Sequence, residues 1–131
     1  KKLSKVYLWD WSSIETAGFR FENLVASHLL KFCHFIEDTE GFSMELRYLR
    51  DTDSREIDFV VIKNKKPLFA VECKSGERQL SPHMRYFRER TTIPRFYQVH
   101  QGLKDYGHEK MGRVLPFIKF YQELKLEYGF F

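Results

Sequence analysis

Residues 57–62 (Ile-Asp-Phe-Val-Val-Ile) and 68–73 (Leu-Phe-Ala-Val-Glu-Cys) are apolar in both phases of an extended chain, with a short basic turn between them. Side chains along a strand alternate between its two faces. Ile57, Phe59 and Val61 therefore share one face of the first run, and Asp58, Val60 and Ile62 share the other. In the second run Phe69, Val71 and Cys73 oppose Leu68, Ala70, Glu72 and Lys74. Strands apolar on both faces belong in the middle of a sheet that is covered on both sides. The chain is thus expected to be α/β, with a mixed central sheet flanked by helices.

Two charged residues interrupt these runs, Asp58 and Glu72, and Lys74 follows directly after the second. If Asn64-Lys65-Lys66 forms a three-residue hairpin loop, residue 63 pairs with residue 67 and paired numbers sum to 130. Asp58 then lies opposite Glu72, with Cβ atoms roughly 4.5–5.5 Å apart. Carboxylates at that distance repel, and each raises the pKa of the other. A divalent cation between them removes the conflict. On the alternative reading these are surface charges, with Lys74 neutralising one acid across the sheet. Burial of both strands argues against it, because a carboxylate there is costly unless paired or metal-bound.

The rest of the chain fills in around this hairpin. Residues 5–9 read as an edge strand leading into a turn at Asp10-Trp11-Ser12-Ser13. Residues 15–36 predict a helix with Phe21, Leu24, Val25, His28, Leu29, Phe32 and Ile36 on its buried face. Glu22 falls about 20° from Leu29 on the helical wheel, at the edge of that stripe, where it could equally be a helix-edge acid paired with Arg20 or His28. Strands are predicted at 43–50, 55–63 and 67–74. Ser81-Pro82 caps and opens a helix through Glu89. A strand at 95–100, a polar loop from Gln101 to Gly112, a short strand at Val114-Leu115 and helical spacing over 117–124 follow. Residues 43–74 are expected to form a three-stranded antiparallel meander beneath the first helix. The whole chain is read as one unit, with a core over 15–125, an N-terminal extension over 1–14 and an unstructured tail over 126–131.

Composition narrows the function classes. The 131 residues are 43% hydrophobic and 17% aromatic, with thirteen Phe, which excludes a disordered chain. Both cysteines, Cys33 and Cys73, lie in apolar stretches, as reduced thiols of a cytoplasmic protein do. No apolar run reaches the length of a membrane span, and no P-loop is present. Zinc spacing and a Ser-His-Asp pattern are also missing. The net charge of +4 permits nucleic-acid binding without demanding it.

An Asp at the end of one strand followed by Glu-x-Lys in the next, here Asp58 and Glu72-Cys73-Lys74, resembles the core of the PD-(D/E)XK nuclease superfamily. Ile57 stands where many members carry proline. Lys5-Val6-Tyr7-Leu8-Trp9-Asp10, the run Arg20 to Leu30 and the hairpin, in that order, resemble the C-terminal domain of prokaryotic AAA-type ATPases. The start at Lys1-Lys2 fits a fragment of such a protein. The first resemblance implies a restriction-endonuclease-like αβββαβ core and Mg2+- (or Mn2+-) dependent hydrolysis of DNA. Asp58 and Glu72 would hold the metal, with Glu22 completing its shell from the first helix. Lys74 would orient or deprotonate the attacking water. The second implies an ATPase module of the same or an associated chain as partner. The rival reading is a catalytically silent DNA-binding or docking module of that ATPase.

Basic residues flank these motifs. Arg78, just past the Glu-x-Lys strand, with Arg85 and Arg88, could track a phosphate backbone. Arg90 and Arg95 could do the same, or belong with Glu77 and Glu89 to a solvated surface, which is how Lys63, Lys65 and Lys66 read on their exposed turn. Gln98 alternates with apolar neighbours and reaches toward the site from the 95–100 strand, either as an accessory residue or as a satisfied sheet glutamine.

Overall fold

A computed structural model describes residues 6–10 and 20–130. Of the turn expected at 10–13 only Asp10 is described, and it ends a strand; residues 11–13 and the helix start at 15 lie outside the described residues. Seven strands form one sheet in the order β1-β2-β3-β4-β5-β7-β6. They are β1 (Val6–Asp10), β2 (Met44–Asp51), β3 (Glu56–Lys63), β4 (Lys66–Cys73), β5 (Phe96–His100), β6 (Tyr106–His108) and β7 (Gly112–Pro116). The helices are α1 (Arg20–Glu40), α2 (Pro82–Arg88) and α3 (Phe117–Tyr128). From β1 to β4 all neighbours are antiparallel, and β4, β5 and β7 are parallel. The sheet is therefore mixed, and α1, the β2–β4 meander, α2 and β5 follow in the expected order.

The two apolar faces hold two separate cores. Val25, Leu29, Phe32 and Ile36 of α1 and Phe117, Phe120 and Leu124 of α3 pack on Phe59, Val61, Phe69 and Val71. Met84 and Phe87 of α2 cover Leu49, Ile57, Val60, Ile62, Ala70 and Phe96 on the opposite face. Burying both faces of β3 and β4 is what their continuous apolar runs require. Ser81 caps α2 as expected: its side chain accepts from the His83 amide, with Pro82 in the first turn. No helix among the described residues is long and apolar enough to cross a membrane.

Several elements differ from the sequence reading, each for a local reason. α1 continues four residues past Ile36 to Glu40 and ends where Gly41 adopts φ +72°. That last turn is Glu37-Asp38-Thr39-Glu40, all exposed, so it adds no apolar spacing to read. Leu24 is exposed, whereas Ala26 and Cys33 are buried, which rotates the buried stripe. α3 runs to Tyr128 and is closed by Gly129 at φ +68°, and the Phe130 ring packs against Phe35 at a tilt. The segment read as an unstructured tail is thus largely helix and packed ring. The polar loop contains a short strand, β6, pairing Tyr106 with Val114 and His108 with Gly112.

The hairpin reaches its expected register by a different route. Lys63 pairs with Lys66 across a two-residue turn, with Asn64 at φ +50° and Lys65 at φ +66°. That turn alone would shift the pairing by one residue. Leu68 is extra between the pairs Ile62–Pro67 and Val61–Phe69, and this bulge restores the sum of 130. Leu68 accordingly packs with Phe69 on the α1 side and not with Ala70. On the other edge of β3, Arg47 pairs with Val60 and Leu49 with Ile57, so Asp58 and Phe59 together face the single residue Tyr48. This second bulge places Ile57 with Val60 on the α2 side, contrary to strict alternation. Asp58 sits within it.

Candidate metal centre

The β3–β4 ladder ends at the Phe59–Val71 pair, one step short of Asp58 and Glu72. Beyond it the two acids bridge the strands. The Cys73 amide donates to Asp58 Oδ2 at 2.8 Å, and the Asp58 amide donates to Glu72 Oε1 at 3.0 Å. Each carboxylate thus takes an amide that a regular ladder would give to a carbonyl. This exchange fixes both acids where the strands part.

Electrostatics at this point run against ionisation. Burial, then the charge of Glu72, pushes the Asp58 carboxyl up to about 8. Burial likewise raises Glu72, against the opposing pull of the Asp58 hydrogen bond and Lys74. Lys74 Nζ lies 3.6 Å from Glu72 Oε2. Glu22, in the first turn of α1, is raised by burial and then by the charges of Asp58 and Glu56. It feels the pair without joining it: among the described residues no three His, Cys, Asp or Glu side chains converge as ligands. Glu22 is not paired with His28, whose Nδ1 faces the Leu24 carbonyl and whose ring packs on Phe117 and Tyr121.

A pair of hard-oxygen acids that resist carrying two charges suits magnesium or manganese. Magnesium needs only one or two protein carboxylates and keeps several waters. Cys73 points into the α1-side core, where burial raises its thiol, so it is a poor ligand beside Glu72.

Residues 17–120 match the family model described as Domain of unknown function (DUF4143). The chain belongs to the DUF4143 family. No curated protein and no solved structure matches it.

Around the acid pair of this DUF4143 domain the other expected residues separate. Gln98 is fully buried beside Glu72 in the β4–β5 register. Its Oε1 accepts from the Ser81 amide at 2.8 Å, and its Nε2 donates to the Arg78 and Gln79 carbonyls. That is the satisfied-glutamine alternative: it pins the 78–81 segment against the sheet. Arg85 pairs with Glu89, and Arg88 donates to the Met111 carbonyl at 3.0 Å. Arg78 is exposed, and its guanidinium meets no carboxylate among the described residues. Of the three arginines it alone is uncommitted.

Sequence reasoning missed Glu77 and His100. Glu77 Oε2 accepts the amides of Leu103 (2.5 Å) and Lys104 (2.7 Å), and these bonds hold its carboxyl below the usual range. His100, 1% exposed, accepts the Gly102 amide at Nδ1 and faces the Lys104 carbonyl with Nε2. Together they fasten the 101–105 loop beside the segment that follows Lys74. Only the His at the end of an apolar strand hinted at this.

Proposed function

We propose that this DUF4143 domain is a magnesium- or manganese-dependent nuclease that hydrolyses DNA phosphodiesters at a site of the PD-(D/E)XK type. The supporting observation is the Asp58–Glu72 pair, locked by reciprocal amide bonds with Lys74 beside it. The αβββαβ order, with the Asp at the strand break and Glu-x-Lys ending the next strand, accords with that superfamily. In this reading Asp58 and Glu72 hold the cation, and Glu22 completes its shell through water or a side-chain shift from α1. When bound, the cation polarises the phosphate and acidifies water. Lys74 offsets charge building on the phosphate and orients the attacking water. Arg78 contacts the backbone of the strand. The domain acts beside an ATPase module of the same or an associated chain, in a cytoplasm that keeps Cys33 and Cys73 reduced.

A second reading is a catalytically silent DNA-binding or docking module of that ATPase. It draws support from the Lys74–Glu72 ion pair and from the convergence of only two acids among the described residues. Incubating the purified chain with manganese and single-stranded, duplex or branched DNA separates the two. The nuclease reading expects cleavage that Lys74→Ala abolishes while manganese binding persists. Intact DNA throughout, with binding retained, supports the silent module.

A further inference from the structure

Parallel strands β4 and β5 end side by side, and the Lys74 amide closes that end by donating to the Val99 carbonyl at 2.9 Å. Two segments leave the sheet there: 74–78, behind the acid pair, and 101–105, behind His100. The space beyond the carboxyl ends of adjacent parallel strands is where ligands bind in open α/β sheets. The second segment carries Leu103, which is 91% exposed.

A lone exposed leucine means nothing by itself. This one is different because Gly102, Lys104 and Asp105 around it are tied down. Its own amide and that of Lys104 go to Glu77, and the Gly102 amide and Lys104 carbonyl go to His100. Asp105 is held by Arg113 at 2.9 and 3.0 Å and by Lys119. A Cβ at Gly102 would collide with the Glu77 side chain, so the close approach requires glycine. The loop is anchored on both sides, yet its single apolar side chain is packed against nothing in the domain. Ordering that loop before contact lowers the entropic cost of whatever Leu103 meets.

The surroundings select the occupant. Arg78 and Lys104 are exposed and meet no carboxylate at ion-pair distance among the described residues, and the Tyr106 hydroxyl donates to the Arg78 carbonyl. One large apolar side chain on a loop with exposed cations close by in the chain is too small a patch for a protein interface core. It matches an apolar wedge entering a base step while cations hold the flanking phosphates. We infer that Leu103 is a base-stack wedge, and that the substrate is therefore duplex DNA with an unpaired or weakly stacked step near the scissile bond. Glu77 and His100 act as positioning residues for that wedge. This inference rests on the proposed DNA reading and names its substrate class.

The test uses the whole chain with a duplex carrying 2-aminopurine next to a one-base bulge, in calcium to prevent cleavage. The parent protein should bind and brighten the probe by unstacking it. Leu103→Ala should keep most of the affinity and lose most of the brightening, while Leu103→Met retains it. Glu77→Gln, with Leu103 intact, should lower the brightening by loosening the loop. Equal brightening by the parent and Leu103→Ala overturns the wedge and leaves DNA binding standing, provided Arg78→Ala still weakens affinity. A parent that binds no DNA overturns both readings. Self-association in sedimentation that Leu103→Ala abolishes also overturns the wedge, since the leucine then serves an interface between copies.

Discussion

Asp58 and Asp105 lie on different parts of the same domain and carry the same side chain in opposite electrostatic situations. Asp105 is gripped by Arg113 and Lys119, and Arg113 also binds Glu123. Hydrogen bonds from Arg113 first, and then Lys119, outweigh burial and bring its carboxyl to about 2. Asp58 has a second acid where Asp105 has cations, and its carboxyl rises to about 8. The neighbouring cavity of about 140 Å³, lined by Arg95, Tyr97, Glu109, Arg113, Glu123 and Glu127, repeats the Asp105 pattern: Arg95 pairs with Glu127 and Arg113 with Glu123. Such acids have their counter-charge already and no need of an ion. The Asp58–Glu72 pair sets two acids against one cation, Lys74, 3.6 Å from Glu72 Oε2. A cluster of acids is thus a poor guide to a metal site until their cations are counted.

The largest effect that bears on this contrast is catalytic. Lys74→Ala should lower manganese-dependent DNA cleavage by at least about a hundredfold, the usual scale for losing a positioned catalytic group. Calorimetric manganese binding should persist in that variant. Parallel loss of both would mean that Lys74 holds the site together and takes no part in the chemistry.

Next comes metal binding itself. Asp58→Ala and Glu72→Ala should each abolish manganese binding by calorimetry, and Asp105→Ala should leave it unchanged. In the parent, ten times the dissociation constant of manganese should add about 1.4 kcal/mol of stability. A variant lacking Asp58 that binds manganese as the parent does would end the comparison.

How much of this was readable in advance follows from what each residue competes with. The meander, the α2 cap and the Asp58–Glu72 juxtaposition were legible because alternation and Ser-Pro are local signals. The register came from two departures that cancel: a two-residue Asn64-Lys65 turn without glycine, and a bulge at Leu68. No residue in an apolar run advertises a bulge, so neither Leu68 nor the doubled Asp58-Phe59 step could be read. The partners of Gln98, Arg88 and Glu77 lie 17 to 27 residues away, in loops whose course spacing does not encode. β6 was hidden because Gly107 and Gly112 read as loop punctuation.

A subtler test concerns pH. Without metal, folded Asp58 holds a proton up to about pH 8, whereas the unfolded chain releases it near pH 4. The folded state therefore binds more protons between those limits, and stability falls as pH rises through them. The melting temperature of metal-free protein should drop by several degrees from pH 5 to 8. Asp58→Asn should flatten that drop, and manganese should reverse it in the parent. A parent whose melting temperature rises across this range would show that the pair is not raised.

Smaller again is the contribution of Arg78 to DNA affinity. Arg78→Ala should weaken binding to all sequences alike and reduce the slope of log affinity against log salt by about 1. Arg85→Ala, whose guanidinium faces Glu89 3.3 Å away, should change neither. Equal slopes for the two variants would place the phosphate contacts elsewhere.

The smallest effect is the mirror of the Asp58 experiment. Asp105 is ionised in the folded protein down to about pH 2, below the usual carboxylate value. Its contribution is fully present above that usual value and is lost as pH falls through it toward 2. Asp105→Asn should therefore lower the melting temperature at pH 7 and leave it nearly unchanged at pH 2. The network is partly solvent-screened, so the difference should be only about a degree or two. Differential scanning fluorimetry of Asp58→Asn and Asp105→Asn side by side reads both signs at once. In metal-free protein at pH 7 the first substitution should stabilise and the second destabilise. If both destabilise, Asp58 is a structural acid like Asp105, held by its amide bonds alone, and the case for a cation between Asp58 and Glu72 falls with it.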